Sequence, residues 1–93
     1  MRCVKLFTLP TCPKCPAAKY LAEKLSEEEG VQVLVYDMSI ADGLAEGSSY
    51  GVMGTPAFLV VEDPEGEDTI VKDWPGILPS AADILAALGT PRS

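Results

Sequence analysis

The chain's 93 residues suffice for one domain, expected to span residues 1–93, and leave no room for a second core. An apolar fraction of 47% beside 23% charged residues excludes intrinsic disorder, and no apolar run reaches the roughly 18 residues a membrane span requires. A net charge of −7 argues against nucleic acid or anionic membrane as partner, and the absence of histidine removes every imidazole base or ligand. The expected setting is the cytoplasm, since the N-terminal stretch is too short for a signal peptide and Lys5 interrupts it.

Residues 2–8, with Val4, Leu6 and Phe7, read as a short buried strand. Pro10 and Pro13 break it, because proline cannot donate to a strand ladder. Composition then turns to Ala, Lys, Leu and Glu over residues 13–29, where Ala18, Leu21, Ala22 and Leu25 form an apolar stripe at helical spacing. Prolines at 13 and 16 fit only a first turn, which places the helix start at Cys12, and Gly30 ends the helix. The β-branched run 31–36 predicts a buried parallel strand. Residues 37–50 follow as a weaker helix with Ile40, Ala41, Leu44 and Ala45 at workable spacing for a packed face.

Residues 57–61 predict a third strand, 63–68 a polar hairpin loop, and 69–74 a returning fourth strand. After a turn at Gly76, Ser80 caps a last helix whose Ala81, Ile84, Leu85 and Leu88 face the core, and Gly89 ends it. The order β-α-β-α-β-β-α implies an α/β fold. Its four-stranded mixed sheet has one right-handed parallel crossover, one hairpin, and helices on both faces. Cys12 then falls at the carboxyl edge of the sheet, where open α/β folds place reactive sites.

Chemistry concentrates in Cys12-Pro13-Lys14-Cys15. A nucleophilic cysteine must be a thiolate, and a helix N-terminus lowers a thiol's pKa through unpaired N–H groups and partial positive charge. Cys12 is best placed to feel this, with Lys14 adding a full charge, whereas Cys15 lies one turn on and can close a disulfide onto Cys12. Residues 1–15 alone also suit a small Cu(I)-binding module holding a soft metal between two thiolates. Two features weigh against that alternative. A helix rather than a hairpin follows the second strand, and Pro10 stands where copper chaperones carry methionine. Structural zinc needs four ligands, and Cys3 is the only other cysteine.

The segment Tyr50-Gly51-Val52-Met53-Gly54-Thr55-Pro56-Ala57, about forty residues after Cys-Pro-x-Cys, resembles the approach to the third core strand of the thioredoxin superfamily. The resemblance covers nearly the whole chain and implies a minimal thioredoxin fold of glutaredoxin size. It implies that Pro56 is cis and faces the cysteines, and that the backbone of Thr55 pairs with a substrate strand. It further implies a thiol-disulfide oxidoreductase that reduces protein disulfides, with Cys12 as nucleophile, Cys15 resolving, and Pro13 and Lys14 in the substrate surface. No cofactor or metal is expected beyond the redox-active Cys12–Cys15 disulfide, and the chain is expected to act as a monomer. The match within the superfamily is mixed. Leu6 stands where thioredoxins bury an acid, Lys14 replaces the glutaredoxin tyrosine, and Trp74-Pro75-Gly76-Ile77-Leu78-Pro79 is similar to glutaredoxin-like donors of ribonucleotide reductase. Glutathione needs cations, and no Lys or Arg occurs between Lys24 and Lys72, so the expected donor is a reductase of the thioredoxin-reductase kind. Cys3 reads as a small buried hydrophobe, Trp74 as either core or site rim, and Glu27-Glu28-Glu29 as a solvated helix end.

Overall fold

A computed structural model describes residues 2–62 and 69–89. Its elements run β1 (Arg2–Thr8), α1 (Cys15–Glu29), β2 (Val33–Asp37), α2 (Ala41–Ser49), β3 (Ala57–Glu62), β4 (Thr69–Pro75) and α3 (Ala81–Leu88). The expected order β-α-β-α-β-β-α is the observed one. The four strands form one sheet in the order β2-β1-β3-β4, with β1 parallel to β2 and antiparallel to β3, and β3 antiparallel to β4. The polar loop expected at 63–68 lies outside the described residues.

Strand β1 organises the interior because both of its faces are covered. Val4 and Leu6 join Phe58 and Val60 under Ala18, Ala22 and Leu25 of α1 and Ile84 of α3. The alternate residues Cys3 and Phe7 join Ala57, Leu59 and Val61 on the opposite face, with Tyr36, Tyr50 and Val52 packed against them. This two-residue alternation is the period of a strand buried on both sides. Helix α1 closes with Gly30 at φ 67°, and the Val31 N–H donates to the Leu25 carbonyl at 3.2 Å, a left-handed ending that glycine adopts without a Cβ penalty. At α3 the Ser80 side chain accepts from the Asp83 N–H, as expected of its cap.

The second helix departs from its expected face. Ile40 is 58% and Leu44 50% exposed, while the residues that α2 buries are Gly43 and Gly47. The reason is close backbone approach. A Cβ on Gly43 would overlap the backbone carbonyl of Asp37, and one on Gly47 would stand 2.7 Å from Met38 Cε. The helix also starts later than residue 37, because Asp37 finishes β2 and its carboxylate accepts from the Ser39 N–H and hydroxyl, turning the chain before α2.

Candidate active site

The carboxyl end of β1 leads into the segment that carries Cys12 and Cys15. Past Thr8 the Cys12 N–H donates to the Leu9 carbonyl at 3.1 Å, and the Cys15 N–H to the Cys12 carbonyl at 3.3 Å. These two turns fold the 9–15 segment over the end of the strand. They also correct the expected helix start, since α1 begins at Cys15 with Lys14 as its N-cap. Pro16 is the physical reason: it has no N–H to donate to the Cys12 carbonyl, so that carbonyl accepts from Cys15 and the helix does not extend back. Cys12 therefore precedes the helix, and Cys15 occupies its first turn.

Cys12 and Cys15 are joined as a disulfide with their Cα atoms 5.3 Å apart, within the usual span for such a bridge. Exposure is 9% for Cys12 and 2% for Cys15, so Cys12 presents the accessible edge of the bond. Pro10, Thr11, Pro13 and Lys14 around it are exposed. The Lys14 side chain makes no capping hydrogen bond.

The register places the second motif at the same end of the sheet. Phe7 pairs with Ala57, and Ala57 with Pro75, so Pro56 lies beside the exit of β1 and the approach to Trp74 lies one strand beyond. The Thr55–Pro56 bond is cis. Pro56 is buried and Thr55 half-buried, while Met53 is 95% exposed. Trp74 is half-buried and packs against the core beneath α1 and α3, with Lys72 Nζ 6.0 Å from its ring centroid. Cys3 is fully buried among the apolar side chains of the α2 face, outside the Cys12–Cys15 pair. Leu6 is fully buried in apolar surroundings. Among the described residues no three of the metal-ligating His, Cys, Asp or Glu side chains gather to hold an ion, and no helix is long and apolar enough to cross a membrane. A soft metal at this site would have the two thiolates as its donors.

One residue escaped the sequence reading. Lys5 stands in the centre of β1 and its side chain is only 3% exposed. Its Nζ donates to Glu46 Oε2 at 2.5 Å and to the Tyr50 hydroxyl at 2.7 Å. It also lies 4.8 Å from the Tyr50 ring centroid and 5.8 Å from that of Tyr36. Burial by itself would lower the lysine pKa, but the hydrogen bonds that Lys5 donates to Glu46 and Tyr50 outweigh it and hold the pKa above the ordinary range. The available signal was a cation between Val4 and Leu6 on the same strand face as Cys3 and Phe7. Its partners lie 41 and 45 residues away, which no local pattern reveals.

A family model described as a thioredoxin domain matches residues 2–86. The chain belongs to the thioredoxin family. A probable thioredoxin from Archaeoglobus fulgidus is 43% identical over 60 residues, which are 64% of this chain and 65% of that protein. The match thus spans slightly less than two thirds of that relative's length. A thioredoxin from Methanocaldococcus jannaschii is 34% identical over 62 residues, 67% of this chain and 73% of that one. The solution structure of a thioredoxin from Thermus thermophilus superposes with a TM-score of 0.67 at 21% identity, over 95% of this chain and 71% of that one. The chain thus has the fold of that family and carries a cysteine pair at disulfide distance.

Proposed function

We propose that the chain reduces protein disulfides through Cys12 and Cys15, as a monomer in the cytoplasm. The observation that carries this reading is the cysteine pair at the end of β1, with Cys12 on the accessible side and Cys15 in the first turn of α1. In the reduced protein the Cys12 thiolate attacks one sulfur of a target disulfide. A mixed disulfide forms and one target thiolate leaves. The Cys15 thiolate then attacks the Cys12 sulfur, re-forming the Cys12–Cys15 bond and releasing the second target thiolate. Two electrons pass from the dithiol to the target, and each released thiolate takes a proton.

Nearby groups fit supporting roles. The backbone of Thr55, beside Pro56, receives the substrate chain as an added strand, and Pro13 and Lys14 offer an exposed edge for it. The net charge and the scarcity of cations near the motif favour a reductase of the thioredoxin-reductase kind as electron donor. Lys14 alone faces either carboxylate of glutathione, and an exposed ion pair contributes about 1 kcal/mol or less.

A coupled assay tests this. The oxidised protein is offered either a flavin- or ferredoxin-linked thioredoxin reductase, or millimolar glutathione with glutathione reductase, and insulin disulfide reduction is followed. Fast, saturable turnover is expected with the first donor and slow turnover with the second. Efficient, saturable turnover with glutathione would overturn the donor assignment. Stoichiometric Cu(I) in protein purified under reducing conditions, with no insulin reduction, would overturn the redox reading.

A further inference from the structure

Helix α2 is held to the sheet in an unusual way. Its buried residues are Gly43 and Gly47, which bring no side chain into the core, and its larger apolar residue Leu44 faces outward. Burial of apolar side chains, the usual anchor of an amphipathic helix, is therefore slight here. What reaches from the helix into the sheet is polar. Glu46 and the following Tyr50 converge on the ammonium of Lys5 at 2.5 and 2.7 Å. The Tyr50 ring packs 6.2 Å from that of Phe7.

The end of α2 in turn suspends the segment 51–56. The Tyr50 and Val52 N–H groups both donate to the Gly47 carbonyl, at 3.1 and 2.9 Å. Beyond Val52 the chain runs through exposed Met53 and Gly54 to Thr55 and Pro56, then enters β3 at Ala57, opposite Phe7. One end of the segment thus hangs from the Lys5 cluster, and the other is fixed two residues further along the same strand.

We propose that Lys5 is a positioning residue for substrate binding: through Glu46 and Tyr50 it fixes the end of α2, and with it the loop that presents Thr55 to the substrate chain. The proposal rests on the disulfide-reductase reading above. An apolar side chain of similar length fills the space of Lys5, and the part-exposed Glu46 carboxylate can turn to water, so the substitution costs stability without leaving a fully buried charge. Such a side chain could not supply the directed bonds to Glu46 and Tyr50. The ion pair thus sets placement as well as stability, and the choice of substrate separates the two.

Lys5→Met separates the two roles. Two substrates are compared: insulin, which has a chain to pair with Thr55, and a small aromatic disulfide, which has none. The KM for insulin is expected to rise about fivefold or more, the low end of coupling through a packed network. The rate with the small disulfide is expected to stay within about twofold of wild type, because Cys12 and Cys15 are untouched. The charge-swapped pair Lys5→Glu/Glu46→Lys should bring the insulin KM back toward the wild-type value. Should Lys5→Met fail to fold, Tyr50→Phe, which keeps the ring and removes the hydroxyl, should raise the insulin KM by about twofold with the small-disulfide rate unchanged. An insulin KM that stays at the wild-type value, or two substrates slowed equally, would overturn the positioning role while leaving the redox reading intact. A wild-type protein that turns over neither substrate would overturn the redox reading and this proposal with it.

Discussion

Adding a single methyl group at Gly43 tests how closely α2 lies against the sheet. In Gly43→Ala the new carbon would overlap the Asp37 carbonyl oxygen and stand 2.6 Å from its carbonyl carbon. Carbon and oxygen rest at about 3.3 Å or more, and both obstacles are backbone at the end of β2, so the helix must retreat by on the order of 1 Å. Overpacking of this kind costs about 1–3 kcal/mol, against which alanine gains about 1 kcal/mol over glycine in a helix. Retreat also draws Glu46 and Tyr50 away from buried Lys5, and a weakened hydrogen bond to a charge costs a further ~1.5–3 kcal/mol. The net expectation is a loss of about 1.5–5 kcal/mol, centred near 3 kcal/mol. Gly47→Ala is the control, because its new carbon meets the flexible end of Met38 at 2.7 Å. There the side chain can turn aside, so the packing cost and the helix gain should offset to about zero. Urea unfolding followed by circular dichroism would read the difference, and on heating it corresponds to roughly 6 °C or more for a domain of this size. A Gly43→Ala variant as stable as wild type would refute the close approach.

Cys15→Ser should accumulate a mixed disulfide between Cys12 and a target protein, visible on a non-reducing gel, whereas Cys12→Ser should be inert and Cys3→Ser should keep full turnover; faster alkylation of reduced Cys15 than of Cys12 near pH 6 would reverse the assignment. The Lys5 cluster predicts a pH signature. Because the folded-state pKa of Lys5 lies above its ordinary 10.5, its contribution is complete below that value and is lost as pH rises through the folded value. The stability difference between wild type and Lys5→Met should therefore be flat from about pH 7 to about pH 10 and shrink only at more alkaline pH. A difference that already shrinks between those limits would show that Lys5 titrates too early to be held as described.

Much of this molecule was legible in short-range pattern. The alternation in β1 and the helical stripe Ala18, Ala22 and Leu25 each encode a buried face within a few residues, whereas the β-branched run of β2 announces a strand but not its burial: β2 lies at the sheet edge, none of its residues is fully buried and Val35 is 51% exposed. The serine at position 80 and the glycines at 30 and 89 announce helix ends by their own chemistry. These sufficed for the element order, and the Cys-x-x-Cys spacing for the pair at disulfide distance. The start of α1 was set wrongly by two prolines read together, because only Pro16 decides it, through the bond its missing N–H leaves to Cys15.

The face of α2 was the larger error, and its cause is general. Ile40 and Leu44 have the spacing of a core stripe, but spacing records only which side chains share a face, not which face meets the sheet. That choice belongs to the backbone of Asp37, to Met38 and to Phe7, which leave room for hydrogen atoms where Gly43 and Gly47 pass. Lys5 follows the same rule. A lysine between valine and leucine shows by itself neither a charge to be solvated nor one to be buried. It becomes a buried cation bonded to Glu46 and Tyr50 only because the fold brings them to it from more than forty residues away. The elements, their order and the close spacing of Cys12 and Cys15 are written in short stretches of chain, since each depends on near neighbours. Where α2 rests and which groups bond Lys5 follow from packing, since both depend on groups that meet only when β1, β2 and α2 come together.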